Sequence, residues 1–150
     1  MCFRTNNWSA LYHGQSKGTI MSKKSKLAKL LEKNEPYEYD TTIEDCQRWF
    51  NILNRELFNQ ALPPVDEIDI RWRRKAHAWY DYDERYPGTG TTRLLMSKRY
   101  KSKKFFVEVL AHEMVHHYQY IYNEEMGHGS SFYKWRDKFN KKGLNLVRVY

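Results

Sequence analysis

The sequence predicts an α+β fold, because two helical periodicities flank a stretch that alternates with period two. Ile43, Cys46, Phe50, Leu53 and Leu57 recur at three- and four-residue steps, and Val107, Leu110, Met114, Tyr118 and Ile121 do so again further on. Between them Ile68, Ile70 and Trp72 alternate with Asp69 and Arg71, the spacing of a strand. A chain of 150 residues is near the commonest size of one compact domain, so these segments are expected to share one core.

The elements follow in order. Residues 1–40 are expected to form a basic, mostly flexible arm, because Lys17, Lys23, Lys24, Lys26, Lys29 and Lys33 crowd a stretch with few large apolar side chains. Leu27, Leu30 and Leu31 can still make one short amphipathic helical patch there. The folded domain is expected over 41–150. Thr41 and Glu44 have the form of a capping box opening an N-terminal helix over about 42–60, which Leu62-Pro63-Pro64 stops. Strand alternation covers Ile68–Trp72 and Ala76–Tyr82, and turn residues Tyr86-Pro87-Gly88-Thr89-Gly90 lead to a third strand, Thr91–Met96, so a hairpin or small meander is expected. Ser102 can cap a long helix reaching about Glu125, since no Gly or Pro interrupts it. Gly127-His128-Gly129 breaks it, and Ser130 or Ser131 starts a C-terminal helix to about Lys142 that Gly143 ends. Val147–Tyr150 reads as a closing strand or extended tail.

Composition narrows the function classes. Twelve Tyr, seven Phe and five Trp exclude a wholly disordered chain, which would lack such core formers. No apolar run approaches the ~20 residues that cross a bilayer, and Met1–Ala10 is polar, without the apolar stretch of a signal peptide. The expectation is a soluble, non-secreted protein without a membrane partner, cytoplasmic or nucleoid-associated, with Cys2 and Cys46 as reduced thiols. A net charge of +8 attracts polyanions; nucleic acid, an acidic protein, or solubility alone are the alternatives.

The chemistry is concentrated in His112-Glu113-Met114-Val115-His116. Residues four apart lie on one helix face, so both imidazoles can grip one metal ion while Glu113 reaches a metal-bound water. A tetrahedral catalytic zinc keeps three protein ligands and one open position, and His128, flanked by two glycines, is the candidate third ligand. About one sequence of this composition in sixty would show the pattern by chance. The setting adds weight: the motif sits on an independently expected helix, with the ligand face opposite the apolar stripe.

From about residue 42 to 150 the chain resembles the SprT-like metalloproteases. The residues that carry the likeness are Leu57-Phe58-Asn59, Leu62-Pro63-Pro64, Arg93-Leu94-Leu95-Met96-Ser97, His112-Glu113-Met114-Val115-His116 and Gly127-His128-Gly129-Ser130-Ser131-Phe132, in that order. The resemblance implies a zincin-like metalloprotease core, His112, His116 and His128 as zinc ligands, Glu113 as catalytic base, and action on DNA-bound proteins, including DNA–protein crosslinks. Ser130-Ser131 stands where relatives often carry Pro-Glu, and His117 where a small apolar residue is usual. The two cysteines cannot build the zinc ribbon that many relatives carry after this core, and a core of this kind suits a bacterial or viral genome.

The remaining residues divide between site and scaffold. His117 points about 100° away from His116 and reads as a surface or packing residue. His77 can line a cleft but reads first as structural, and His13 as a tail residue. Trp72, Trp79, Tyr80, Tyr82 and Tyr86 read as core before stacking surface. Lys98, Arg99, Lys101, Lys103 and Lys104, just before the metal helix, are the candidate DNA-binding cluster, with Arg71–Lys75 and Lys134–Lys142 as further basic groups. The expected activity is zinc-dependent endopeptidase action on a protein substrate; the oxyanion donor is not legible. The rivals are a non-catalytic basic nucleic-acid-binding or structural particle component retaining the zinc site, and a metal hydrolase with a non-peptide substrate.

Overall fold

The computed structural model describes residues 23–33, 38–72 and 76–150. Much of the expected N-terminal arm, residues 1–22 and 34–37, lies outside them, as do His13 and Arg73–Lys75. The described part of the arm is a helix, α1 (Lys26–Glu32), whose Ser25 caps Ala28 N–H and whose Leu27 enters the core. A two-residue strand β1 (Tyr39–Asp40) precedes α2 (Ile43–Phe58). The cap of α2 is Thr42, which accepts from Asp45 N–H; the expected Thr41–Glu44 box is displaced by one residue. The helix ends before its prolines. Asn59 and Gln60 take positive φ, and the Asn54 side chain holds Leu62 at both N–H and C=O, so the chain has turned before Pro63.

The sheet contains β2 (Glu67–Arg71), β3 (Ala78–Tyr82) and β4 (Thr92–Ser97) in the order β2-β4-β3. The expected hairpin is present as antiparallel β3 and β4, but the meander is not: β2 runs parallel to β4 along its other edge. The alternation at Ile68–Arg71 is compatible with either partner, because neighbours on one strand carry no record of direction. β4 is central and mostly buried. A further two-stranded ribbon pairs β5 (Arg99–Tyr100) with β1.

The long helix α3 (Lys103–Ile121) is capped by Ser102 as expected and ends four residues before Glu125. It packs on β3, β4 and α2 and is buried on nearly every side, with Glu108, His112, Glu113, His117 and Gln119 all below a tenth exposed. The expected division into an apolar stripe and an opposite ligand face therefore does not hold; polar side chains here face the interior. In place of one C-terminal helix there are two short turns, α4 (Ser130–Tyr133) and α5 (Arg136–Lys141), followed by an extended tail from Leu144 to Tyr150 with no ladder. Gly143 ends α5 at φ +77°, and a side chain there would meet Leu31 of α1 at 2.9 Å. No helix among the described residues is long and apolar enough to cross a membrane.

Candidate functional site

His112 and His116 lie one turn apart on α3, and Gly127, at φ +109°, turns the chain so that His128 comes back over them. Nε2 of His112 lies 3.2 Å from Nε2 of His116 and 3.2 Å from Nε2 of His128. Ligand atoms of the three are all within 4.8 Å of one another. Nitrogens about 2.0–2.1 Å from a tetrahedral metal would stand about 3.3–3.4 Å apart, so the triad fits one ion.

Tautomers strengthen this. The Nδ1–H of His112 donates to Val147 C=O at 2.9 Å, and that of His116 donates to the Gln119 carbonyl oxygen at 2.9 Å. Neutral rings that carry hydrogen on Nδ1 present bare lone pairs on Nε2, and two such lone pairs at 3.2 Å make no hydrogen bond. They are favourable at that distance only around a shared cation. Burial, then the neighbouring His116 and His128, pushes the His112 pKa down to about 3; burial lowers His116 and His128 as well. All three are therefore neutral and ready to ligate at ordinary pH.

Gln119 is a functional residue that the sequence reading missed. It is fully buried, and its amide nitrogen donates to Gly127 C=O and to Ser131 Oγ, both at 2.9 Å, which turns its oxygen toward His116. One side chain thus ties a histidine of α3 to the loop that carries His128. Its position three residues after His116, on the same helix face, was the available signal. Phe132 of α4 closes the segment that begins at Gly127. Its buried ring lies 4.7–5.3 Å from the rings of His112, His116 and His128, forming the apolar backing of the triad.

Glu113, one position round the helix from His112, lines the same cleft beside β3, where its carboxylate accepts from the backbone N–H of Tyr80. Burial raises its pKa to about 8. A buried, oriented carboxyl of high proton affinity beside a cation site is suited to take and return a proton. His117 is not a ligand. Its Nε2–H donates to Pro63 C=O and its Nδ1 accepts from the Tyr80 hydroxyl, both at 2.8 Å, making it a packing residue inside the core and not on the helix surface.

The three histidines and Glu113 open into a cleft of about 540 Å³, with Ala76–Tyr80 and Tyr82 on one wall and Met126–His128 and Arg148–Tyr150 on the other. His77 is exposed and lines it. Of the aromatics expected in the core, Tyr80 is buried, whereas Trp72, Trp79 and Tyr86 are more than half exposed.

The basic cluster divides. Lys98 and Arg99 lie over the Trp72 ring, and Arg99 also pairs with Asp40 and Glu38. Lys101 lies over Phe105, Lys103 over Tyr39 and Trp49, and Lys104 pairs with Glu108. None of the five lines the cleft. Lys103 and Lys104 instead border a second cavity between α1 and α2.

No curated protein matches the chain. The SprT-like family matches it over residues 46–149, a span that contains the three histidines, Glu113 and every cleft-lining residue named above except Tyr150. With a triad arranged to hold a metal ion inside that span, the chain belongs to the SprT-like family, a metalloprotease-type domain.

Proposed function

We propose that the protein is a zinc-dependent endopeptidase whose substrates include proteins bound to DNA. The observation that carries the reading is the pair of Nδ1–H groups committed to Val147 and Gln119, which leaves the Nε2 lone pairs of His112 and His116 converging beside His128. Zinc held by these three residues would supply a Lewis acid that acidifies water and polarises a substrate carbonyl.

The chain's own residues do the rest. Positive charge on the triad favours the ionised form of Glu113, whose carboxylate then accepts a proton from the attacking water and returns it to the departing amine. The Tyr80 N–H holds that carboxylate in place on the cleft floor. Phe132 and Tyr150 pack their rings against His112. DNA enters the reading through long-range charge: net +8, with Lys98, Lys101 and Lys103 making no ion pair among the described residues.

The test is one preparation read three ways. Purified protein should hold one zinc per chain and cleave a denatured protein substrate. Glu113→Gln should keep zinc and fold but lose activity by at least about 100-fold, since the amide preserves shape and cannot accept the proton. Wild-type rates in that variant would overturn the mechanism. If the basic cluster neutralises about four phosphates, log affinity for a DNA duplex should fall against log salt with a slope near −3 to −4. No binding at low salt would leave a protease that reaches its substrates without DNA.

A further inference from the structure

The cleft carries a cation that neither the triad nor Glu113 needs. Among the described residues lining it, Arg148 is the only lysine or arginine and Glu113 the only acidic side chain. Arg148 is exposed, makes no ion pair among the described residues, and lies close enough to His128 for its charge to act on that ring.

Its backbone is fixed from both sides although the tail forms no strand. One residue before it, Val147 C=O takes the Nδ1–H of His112 at 2.9 Å. Two residues after it, the Tyr150 hydroxyl shares its one hydrogen between Asn145 C=O at 2.9 Å and Glu108 C=O at 3.2 Å, with its ring 5.4 Å from that of His112. The guanidinium therefore projects from a stretch pinned to the metal helix itself. Such a planar fork, held on the rim without an internal partner, matches a carboxylate in two parallel hydrogen bonds. Glu113 does not compete for it, being buried on the cleft floor and held by Tyr80 N–H.

We propose that Arg148 is a specificity-determining residue that binds a substrate carboxylate beside the scissile bond, so that the cleft prefers acidic peptides. The proposal rests on the peptidase reading above. The carboxylate can come from an Asp or Glu side chain or from a free C-terminus, and the test separates the two.

A set of synthetic peptides sharing one cleavable core would carry Asp, Asn or Lys at each position flanking the scissile bond, each peptide made with an amidated and with a free C-terminus. Zinc-loaded wild type should show kcat/KM for the best Asp peptide about two- to fivefold above its Asn counterpart and further above Lys, as expected of one exposed charge pair, with the ratio shrinking in high salt. Free C-termini cleaved faster than amidated ones, with Asp and Asn peptides alike and the difference lost in Arg148→Gln, would place the terminal carboxylate on Arg148. Arg148→Gln should bring the Asp/Asn ratio close to one, Arg148→Glu should invert the Asp/Lys order, and Arg148→Lys should keep part of the preference. Zinc content should stay at one per chain in all three variants, because the side chain is exposed and ligates nothing. An unchanged Asp/Asn ratio in Arg148→Gln would overturn the assignment and leave the peptidase reading standing. Absence of cleavage of every peptide and of a denatured protein by zinc-loaded wild type would overturn both.

Discussion

Gln119 and His117 lie on the same helix, are equally buried and flank the same histidine, yet their hydrogen bonds give them opposite tasks. Gln119 spends its oxygen on His116 and its nitrogen on the loop of His128, so its loss should loosen the triad and not the core. Gln119→Leu keeps the volume while removing these bonds, and should weaken zinc affinity about 10- to 100-fold in competition with a chelator, as outer partners of metal ligands commonly do. His117→Ala should do the reverse. It empties a packed site and leaves the Tyr80 hydroxyl and Pro63 carbonyl without their partner, at a cost of about 2–4 kcal/mol in denaturant unfolding, while zinc content stays at one per chain. Ligand spacing made His112, His116 and His128 legible in the sequence because the constraint is local and chemical. Gln119 carries only a weak signal, its place one turn after His116, because its bonds to the loop of His128 depend on a fold that local spacing does not record.

At the scale of elements, the helices were readable from their periodicity and caps, but two features were not. The burial of α3 on all sides was hidden by its polar residues, since pattern reading assigns His, Glu and Gln to solvent, whereas here they face a cleft, a carbonyl or one another. The parallel pairing of β2 with β4 was hidden because register between distant strands depends on a crossover that no local pattern records. The loop joining β3 to β4 shows how far apart in sequence the deciding contacts lie. The Tyr120 hydroxyl of α3 meets the carbonyls of Tyr86 and Asp83 at 2.6 and 2.9 Å and accepts from Gly90 N–H, which is shared with Tyr86 C=O. A side chain at Gly90 would meet that hydroxyl at 2.6 Å, which accounts for glycine there. Tyr120→Phe should therefore cost about 1–2 kcal/mol of stability. Amide exchange should rise over residues 83–90 while the β2–β4 ladder keeps its protection, and uniform acceleration across the sheet would mean that the hydroxyl acts on the whole fold and not on this loop.

For the whole molecule, the buried histidines and carboxyls set a stability that peaks near neutral pH when no metal is bound. His112, at about 3, and His116, His117 and His128, all lowered chiefly by burial, stay neutral in the fold but protonate near 6.5 once unfolded. Below that point the unfolded chain binds more protons than the folded one, so acidification destabilises. Glu113, raised to about 8, and Glu108, also raised by burial, act in the opposite sense: each stabilises the fold below its unfolded value, and that contribution is lost as pH rises through the folded one. Below about pH 6.5 the lowered histidines, His112 above all, oppose the two raised carboxyls, and stability should fall as the solution is made acid. Above about 6.5 the unfolded histidines no longer take up protons while Glu113 still titrates in the fold, so stability should fall with rising pH toward 8. The melting temperature of chelator-treated protein should therefore pass through a maximum near pH 6.5–7. Zinc loading should remove the decline on the alkaline side, because cationic charge on the triad lowers the Glu113 pKa, and should steepen the acid side, because protons compete with the metal for the imidazoles. Melting curves between pH 4.5 and 8.5 with and without chelator check both limbs. An alkaline decline of equal slope in the zinc-loaded protein would mean that Glu113 does not feel the metal, and would remove it as the base.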